Sequence, residues 1–395
     1  MAHQNNANNT SLTWGGVAAN KGTPDATTTA HRRALYLKLF SGELFKGFQR
    51  NTIARDLITK RTLKNGRSLQ FIFTGRTNSE FHVPGQNILG NTDGAPPVAE
   101  VTIECDDLLI SSAFVYELDE TLAHYDLRGE ISRKIGYALA ENYDRRIFRA
   151  ITKAARQASP IQKTGFLEPG GTQIQVGTGS VGTDAYVPAN LVNAFYDAAA
   201  ALDEKGVSTE GRVGVLNPRQ YYELIQQVGE NGLVNRDQQG TSRQSGQGIV
   251  EIAGIKIYKS MNIPFFGKFG TKYGGSGATG TGVTDPGNTG SFVSEDMGNQ
   301  AESASGAPDG QRTVNDYGEG NKFDNSCGLI FQKEAVGCVE AIGPQVQVTS
   351  GDVSVIYQGD VILGRLAMGA APLNPAAAVE LIAGIAPNTG VAQAF

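Results

Sequence analysis

The chain of 395 residues carries a formal net charge of −5, so it lacks the overall basic character of a nucleic-acid-binding protein. Its three cysteines, Cys105, Cys327 and Cys338, are odd in number and lack the paired spacing of a zinc site or a disulfide scaffold. We therefore expect free thiols in a reducing compartment. No run of 18 apolar residues and no apolar signal core is present, so we expect a soluble cytosolic chain.

The first third of the chain reads as an arm followed by an extended excursion. Residues 1–30 are polar and are expected to be flexible, because they offer little apolar surface to bury. Residues 31–48 are amphipathic and need a partner surface for their apolar side chains, which include Leu35, Leu39, Phe40, Leu44 and Phe45. Strand patterns at 57–75, with a turn signal at Asn65-Gly66, and at 101–105 flank a turn-rich segment and predict a two-stranded excursion.

A second extended run, residues 108–116, is followed by an acidic segment, residues 117–126, which is called the acidic joint here. An unusually long helix pattern comes next. Apolar residues recur every four positions from Ile131 to Ile151, which is the spacing of one helix face. The predicted helix, residues 128–157, would be roughly 45 Å long, against a usual length of about 11 to 12 residues. Such a helix is typical of a strut.

The remainder of the chain mixes helices and strands and predicts an α+β fold with discontinuous segments. Asn217 as N-cap and Pro218 as first helical residue predict a helix at 219–228. A glycine-, serine- and threonine-rich stretch at 264–325 predicts a surface insertion. The other predicted elements are a helix at 188–205 and strands at 212–216, 249–258 (a pair around Ala253-Gly254), 328–331, 336–342 and 346–366, followed by a small-residue tail.

Charge separates along the chain and suggests a subunit interface. Residues 32–76 are predominantly basic, and residues 100–126 contain acids but no base. The two regions can pair within one molecule or between copies, and complementarity of this kind fixes register and steers association. The charged interface candidates are Arg55, Lys60, Arg61, Lys64, Arg67 and Arg76 on the basic side, and Glu117, Asp119, Glu120 and Asp126 on the acidic side.

No catalytic or cofactor motif is convincing. Residues 177–182 and 275–280 match G-x-G-x-x-G, but neither lies in a strand–turn–helix unit, and two matches are close to chance in a chain with 50 glycines. His124 with its neighbouring acids is the single carboxylate–histidine cluster, and we interpret it as an acidic turn at a helix start. The arginines and lysine of 145–156 fit a solvated or partner-facing helix better than a nucleic-acid stripe. We therefore expect neither enzymatic activity nor a cofactor nor a metal.

In this order, the elements resemble those of the major capsid proteins of tailed phages, and more closely those of short-tailed podoviruses of the Autographiviridae type. The resemblance is carried by residues 34–48, 108–128 and 357–381 and by the Val215-Leu216-Asn217-Pro218 corner. It implies the α+β tailed-phage capsid (Johnson) fold, which herpesvirus shells and encapsulins share. The glycine-rich stretch 264–325 is longer than the simplest members need.

The resemblance also implies a domain plan. It assigns residues 1–56 to an N-terminal arm, 57–105 to an extended loop over the adjacent subunit, and 106–189 to a peripheral domain with the long helix as its spine. Residues 190–329 become an axial domain, and 330–395 supply return strands of the peripheral domain and a C-terminal tail.

The implied function is a shell protein. Copies would assemble as hexamers and pentamers into an icosahedral capsid around double-stranded DNA, which is enclosed without sequence-specific binding. The implied partners are other copies of the chain, a scaffolding protein and a portal, with no membrane, and the implied location is the virion, after assembly in the host cytoplasm. Two alternatives stay open at this point: a non-viral shell of the encapsulin type, and a soluble nucleotide-binding enzyme built on residues 177–182.

Overall fold

The computed structural model describes most of the chain in separate stretches. These are residues 53–75, 81–85, 97–116, 127–163, 166–177, 184–226, 251–264, 315, 317, 326–348 and 358–383. The amphipathic segment 31–48 and its apolar residues Leu35, Leu39, Phe40, Leu44 and Phe45 lie outside these residues.

The described residues form three α-helices and fourteen strands, which are numbered here in chain order. The helices are α1 (Leu127–Arg156), α2 (Pro188–Glu204) and α3 (Pro218–Gln226). The first strands are β1 (Thr59–Thr62), β2 (Ser68–Thr74), β3 (Val98–Glu104), β4 (Leu109–Tyr116), β5 (Gln162–Lys163), β6 (Phe166–Leu167) and β7 (Thr172–Val176). The others are β8 (Arg212–Leu216), β9 (Glu251–Ile252), β10 (Ile255–Lys259), β11 (Ser326–Gln332), β12 (Val336–Val348), β13 (Gly359–Pro372) and β14 (Ala378–Ala383).

The chain divides into two compact units. The first contains residues 1–51, 108–142 and 342–367, and the second contains residues 52–107, 143–341 and 368–395. In the first unit, β4 pairs antiparallel with β13, from Gly359 opposite Tyr116 to Leu366 opposite Leu109. Its small core joins Ile135 and Leu139 of α1 to Val115 and Ile362 of these strands.

The second unit is built on a six-stranded sheet of order β7-β14-β11-β8-β10-β9. β14 runs parallel to β7 and β10 parallel to β8, and the other pairs are antiparallel. Helix α2 contributes the fully buried Leu191, Phe195 and Leu202 to the core on this sheet. α2 begins with Pro188 and ends before Gly206, whose φ of +71° is the left-handed conformation typical of a helix end.

The apolar periodicity of α1 is confirmed. Ile135, Leu139, Tyr143, Ile147 and Ile151, spaced by four residues, are each at most 6% exposed. Residues 127–142 of this helix belong to the first unit and residues 143–156 to the second.

Two other local predictions are confirmed. The predicted strand pair around Ala253-Gly254 is present as β9 and β10, and the two turn residues have φ of +49° and +76°, as a type I′ hairpin turn requires. The predicted two-stranded excursion is present as the antiparallel pair of β2 and β3.

The prediction of a single strand over 346–366 is wrong. β12 ends at Val348, β13 begins at Gly359, and the two are hydrogen-bonded neighbours in one sheet. Gln358, directly before β13, has a φ of +52°, a left-handed conformation that interrupts a strand. Of the alternating valines that the structure describes, Val346 and Val348 therefore lie in β12 and Val361 lies in β13.

Asn217 occupies the predicted position before the first helical residue, and its carbonyl accepts from the Tyr221 amide at 3.0 Å, but the expected side-chain capping bond is absent from the described structure. Helix α3 begins at Pro218 as expected, but Asn217 is 2% exposed, and neither polar atom of its side chain has a hydrogen-bond partner within the described stretches. The fixed φ of proline is sufficient to start the helix here.

Candidate functional site

The most prominent exposed feature of the second unit is the ribbon, defined here as β2 and β3. Its register runs from Ser68 opposite Glu104 to Thr74 opposite Val98. One face is buried near the start of β2 and the end of β3, where Phe71 and Ile103 pack on Val339 of β12 and on Leu373. This end is called the base of the ribbon. This packing is required, because a two-stranded ribbon alone is marginally stable in water.

The opposite face of the ribbon presents apolar side chains to water. Ile72 is 76% exposed and Val98 is 61% exposed, although both lie in regular strands. In the connection between the strands, Phe81 is fully exposed and Val83 is 55% exposed. Several exposed apolar residues on one projecting element are typical of a protein–protein contact surface.

Four of the predicted interface residues have exposed side chains on β1 or in the segment between β1 and β2: Lys60, Arg61, Lys64 and Arg67. β1 pairs in parallel with β12, so that Lys60 lies opposite Cys338. The Lys60 ammonium is 3.6 Å from the exposed Asp56 carboxylate. An exposed ion pair of this kind contributes little to the stability of the fold. The Arg61 guanidinium lies 4.9 Å from the centre of the Phe71 ring, so it also covers the base of the ribbon.

Arg55, in contrast, is engaged within the molecule. Its guanidinium forms a two-pronged contact with the Glu340 carboxylate, Nε donating to Oε1 at 3.1 Å and Nη2 to Oε2 at 3.0 Å. The Tyr143 hydroxyl donates to the same carboxylate at 2.8 Å. Burial acts to raise the pKa of Glu340, but the hydrogen bonds from Arg55 and Tyr143 outweigh it and lower that pKa.

The other predicted interface residues lie outside the described stretches. They are Arg76 on the basic side and Glu117, Asp119, Glu120 and Asp126 in the acidic joint. The cluster around His124 lies in the same gap. Their roles stay predictions.

A buried polar cluster at the base of the ribbon was not predicted. Asp106, two residues after β3, is 5% exposed and accepts hydrogen bonds from Asn315 and from the hydroxyl of Tyr317 at 2.7 Å. Its Oδ2 also lies 3.7 Å from Nη1 of Arg146 on α1. In the sequence, Asp106 is one acid among several and Tyr317 is embedded in the glycine-rich stretch, so no local pattern links them.

The prediction of a solvated or partner-facing stripe at residues 145–156 is wrong for Arg146, Arg149 and Arg156, whose guanidinium groups are engaged within the molecule. Arg146 and Arg149 are 8% and 5% exposed. Arg149 donates to the carbonyl of Tyr317, and Arg156 makes two hydrogen bonds to the fully buried Glu380, at 2.6 and 2.7 Å. Arg146 and Arg156 lie against the buried carboxylates of Asp106 and Glu380 and compensate their charge, since an unpaired charge inside a protein is strongly destabilising.

Gly177, the first glycine of the nucleotide-binding pattern, follows β7 with a φ of +74°, and the rest of the pattern lies outside the described stretches. The structure continues at a short 3₁₀ turn, Asp184–Tyr186, before α2. Within the described residues, no group of three or more histidine, cysteine or acidic side chains is arranged to hold a metal ion. No helix of the described part is long and apolar enough to cross a membrane.

The chain is similar to phage capsid proteins in sequence and in fold. The profile of the Gp10A-like family of major capsid proteins matches residues 71–301. The major capsid protein of Escherichia phage T7 is 24% identical over 363 residues, which cover 88% of this chain and 92% of that protein. The major capsid protein of Enterobacteria phage T3 is 31% identical over 113 residues, 29% of this chain and 32% of that protein.

Solved capsid structures have the same fold. The capsid protein of cyanophage P-SCSP1u superposes with a TM-score of 0.63 at 29% identity, covering 93% of this chain and 98% of that chain. The mature capsid protein of bacteriophage PhiM1 gives a TM-score of 0.58 at 16% identity, covering 86% and 90% of the two chains.

Proposed function

The chain belongs to the Gp10A-like family of major capsid proteins and forms the shell of a phage capsid, and we propose that its copies assemble as hexamers and pentamers held together by the ribbon. The fold is that of tailed-phage capsids, α+β as the sequence predicts. The non-viral shell and the nucleotide-binding enzyme are not favoured, since the relatives named above are phage capsid proteins.

The observation that carries the proposal is the exposure of two apolar side chains, Ile72 and Val98, on the solvent face of the ribbon. These side chains leave large fractions of their surface in water, although they lie in the regular strands of a two-stranded sheet. Covering them with a neighbouring copy gains about 25 cal/mol for each Å² of apolar surface removed from water. One such contact is weak, but a closed shell repeats it at every subunit.

The remaining assembly roles follow from the family resemblance and are part of the proposal. Residues 1–56 act as the N-terminal arm and 57–105 as the loop that overlies a neighbour. Residues 106–189 and 330–395 supply the peripheral domain and 190–329 the axial domain, in which 264–325 form the insertion. A scaffolding protein and a portal are the expected partners in the host cytoplasm, and the finished shell encloses double-stranded DNA without reading its sequence. No enzymatic step is required of the subunit.

The test is an Ile72→Glu substitution, imaged by negative-stain electron microscopy under conditions in which the native chain forms shells. Because Ile72 is largely exposed, the subunit should still fold, with a free energy of unfolding lowered by about 1 kcal/mol or less through repulsion from Glu100, which lies opposite on β3. A charge buried in the neighbour contact is strongly unfavourable, so we expect no closed shells.

Tyr196→Glu is the matched control, because Tyr196 is 55% exposed on α2, away from the ribbon. It should assemble like the native chain. Shells of Ile72→Glu at native yield would show that the ribbon is not an assembly contact.

A further inference from the structure

Two residues of the glycine-rich stretch pack at the base of the ribbon, Tyr317 fully buried and Asn315 half-buried. Tyr317 is 1% exposed and is among the largest fully buried side chains. Asn315, two residues earlier, hydrogen-bonds to the same part of the molecule. A glycine-rich surface insertion has no need of such burial, so these two residues have a specific role.

The place where they bind is where β3 rejoins the rest of the second unit. The amide of Cys105 donates to the carbonyl of Arg67, next to the start of β2, at 2.8 Å. The amide of Asp106 donates to the carbonyl of Met368 in β13 at 3.0 Å. Interactions that fix the position of Asp106 therefore also fix the end of β3 at the base of the ribbon.

Asn315 and Tyr317 occupy both oxygens of the Asp106 carboxylate. Oδ1 accepts from the backbone amide and the side-chain amide of Asn315, at 3.0 and 2.9 Å, and Oδ2 accepts from the Tyr317 hydroxyl at 2.7 Å. The side-chain amide of Asn315 also donates to the carbonyl of Glu104, the last residue of β3, at 2.9 Å. Hydrogen bonds to an ionised carboxylate are among the stronger ones in proteins.

Tyr317 is itself fixed from the other side. Its hydroxyl accepts from the amide of Ala370 in β13 at 3.0 Å, and its carbonyl accepts from Arg149 at 3.3 Å. The guanidinium of Arg146 lies 5.5 Å from the centre of its ring. Burial, and then the Asp106 charge, hold the pKa of Tyr317 well above its usual value, so the hydroxyl stays protonated and able to donate.

We propose that Asn315 and Tyr317 form a latch that ties the glycine-rich stretch to the base of the ribbon and controls how readily the ribbon opens. The latch is a positioning device, since it acts on the ribbon through Asp106 and Glu104. Its effect on shells rests on the ribbon contact proposed above, but its effect on the ribbon is measurable in the unassembled subunit. The two proposals can therefore fail independently.

The test is hydrogen–deuterium exchange of the unassembled full-length chain carrying Tyr317→Phe. Losing the hydroxyl removes one donor to Asp106 and the acceptor of the Ala370 amide. We expect exchange in peptides covering 68–74 and 98–104 to rise about tenfold, the factor that one hydrogen bond to a charged group supports. Peptides covering α2 should keep native rates, because that helix packs on the six-stranded sheet.

Two further variants keep the outcome decisive. Tyr258→Phe, at a tyrosine that is 37% exposed on β10, is the matched control and should leave the ribbon unchanged. Asn315→Ala leaves the buried ring in place, so it tests the latch even if Tyr317→Phe does not fold. It also removes one donor to Asp106, and with it the donor to the Glu104 carbonyl, so we again expect a rise of about tenfold. The proposal would be overturned if the ribbon peptides of every folded latch variant exchanged at the same rate as those of Tyr258→Phe. Faster exchange at Ala370 alone would not rescue it.

Discussion

At the scale of single residues, Glu340 shows how a buried carboxyl group becomes a stabilising feature. It is 6% exposed in β12, where the hydrogen bonds from Arg55 and Tyr143 satisfy its charge. Its pKa in the folded chain is below the unfolded value. Such a group stabilises the fold above its unfolded pKa and loses that contribution as the pH falls through the folded pKa.

We therefore expect Glu340→Gln to lower the free energy of unfolding at pH 7 by about 1 to 2 kcal/mol, the lower part of the range for charged hydrogen bonds because Arg55 is half-exposed. Urea unfolding of the unassembled chain at several pH values measures it. The difference between native and variant should begin to shrink below about pH 4.5, where the carboxyl group of the unfolded chain takes up a proton, and should be lost as the pH falls through the lower pKa of the folded chain.

Asp56→Asn is the control for this titration. Asp56 is a neighbouring carboxylate whose side chain is 91% exposed, so its replacement should change neither the stability nor its pH dependence. A difference between native and Glu340→Gln that stays constant from neutral to acidic pH would contradict the assignment.

The residues that the sequence failed to reveal are those whose partners are distant in the chain. Arg55 and Glu340 are separated by 285 residues, Asp106 and Tyr317 by 211, and Arg156 and Glu380 by 224. Composition and periodicity report only on neighbours up to a few residues away. Arg55 therefore resembled a surface cation, and the arginines of α1 resembled a solvated stripe.

At the scale of elements, predictions succeeded where local physics decides the structure. Helix α1 was predictable because six apolar residues four positions apart leave no other regular structure that buries them all. β14 was missed because its alanine-rich sequence resembles a tail. It is a strand because β7 and β11 flank it and supply its hydrogen bonds.

Two glycine substitutions contrast a free and a crowded position. No described atom lies within 4 Å of a Cβ built at Gly136 in α1, whereas a Cβ at Gly369 in β13 would be 1.8 Å from the carbonyl oxygen of Glu104. Gly136→Ala should raise the free energy of unfolding by about 0.5 to 1 kcal/mol, because alanine is the better helix former.

Gly369→Ala should lower the free energy of unfolding by at least about 3 kcal/mol, because backbone cannot yield to such an overlap. Thermal unfolding of the two variants beside the native chain measures both effects. An unchanged melting temperature for Gly369→Ala would show that β13 does not pass so close to the end of the ribbon.

At the scale of the whole molecule, the family assignment leaves open which surfaces join the copies. The basic residues beside β1 are exposed, and the acidic joint of residues 117–126 is the complementary region of the sequence. We propose that the two pair between neighbouring copies. Lys60 and Lys64 are the appropriate probes, because Arg61 also covers the Phe71 ring and its replacement would disturb the ribbon.

Charge-swapped mixtures distinguish pairing between copies from pairing within one. One variant carries Lys60→Glu with Lys64→Glu, and the other carries Asp119→Lys with Glu120→Lys. Each alone should fold but form no shells, because like charges then meet at every contact. If the pairing is between copies, alternating the two variants restores opposite charges at each contact, so an equimolar mixture should form lattices visible by negative stain.

The control variant, Lys134→Glu with Lys256→Glu, reverses two exposed lysines elsewhere and should assemble as the native chain does. A mixture that forms nothing, while both variants are folded and the control assembles, places the pairing inside one molecule. Shells formed by either charge-swapped variant alone would remove these charges from the interface. Assembly of the mixture should also weaken as salt is raised, because screening shortens the reach of exposed charges to about 8 Å at physiological ionic strength.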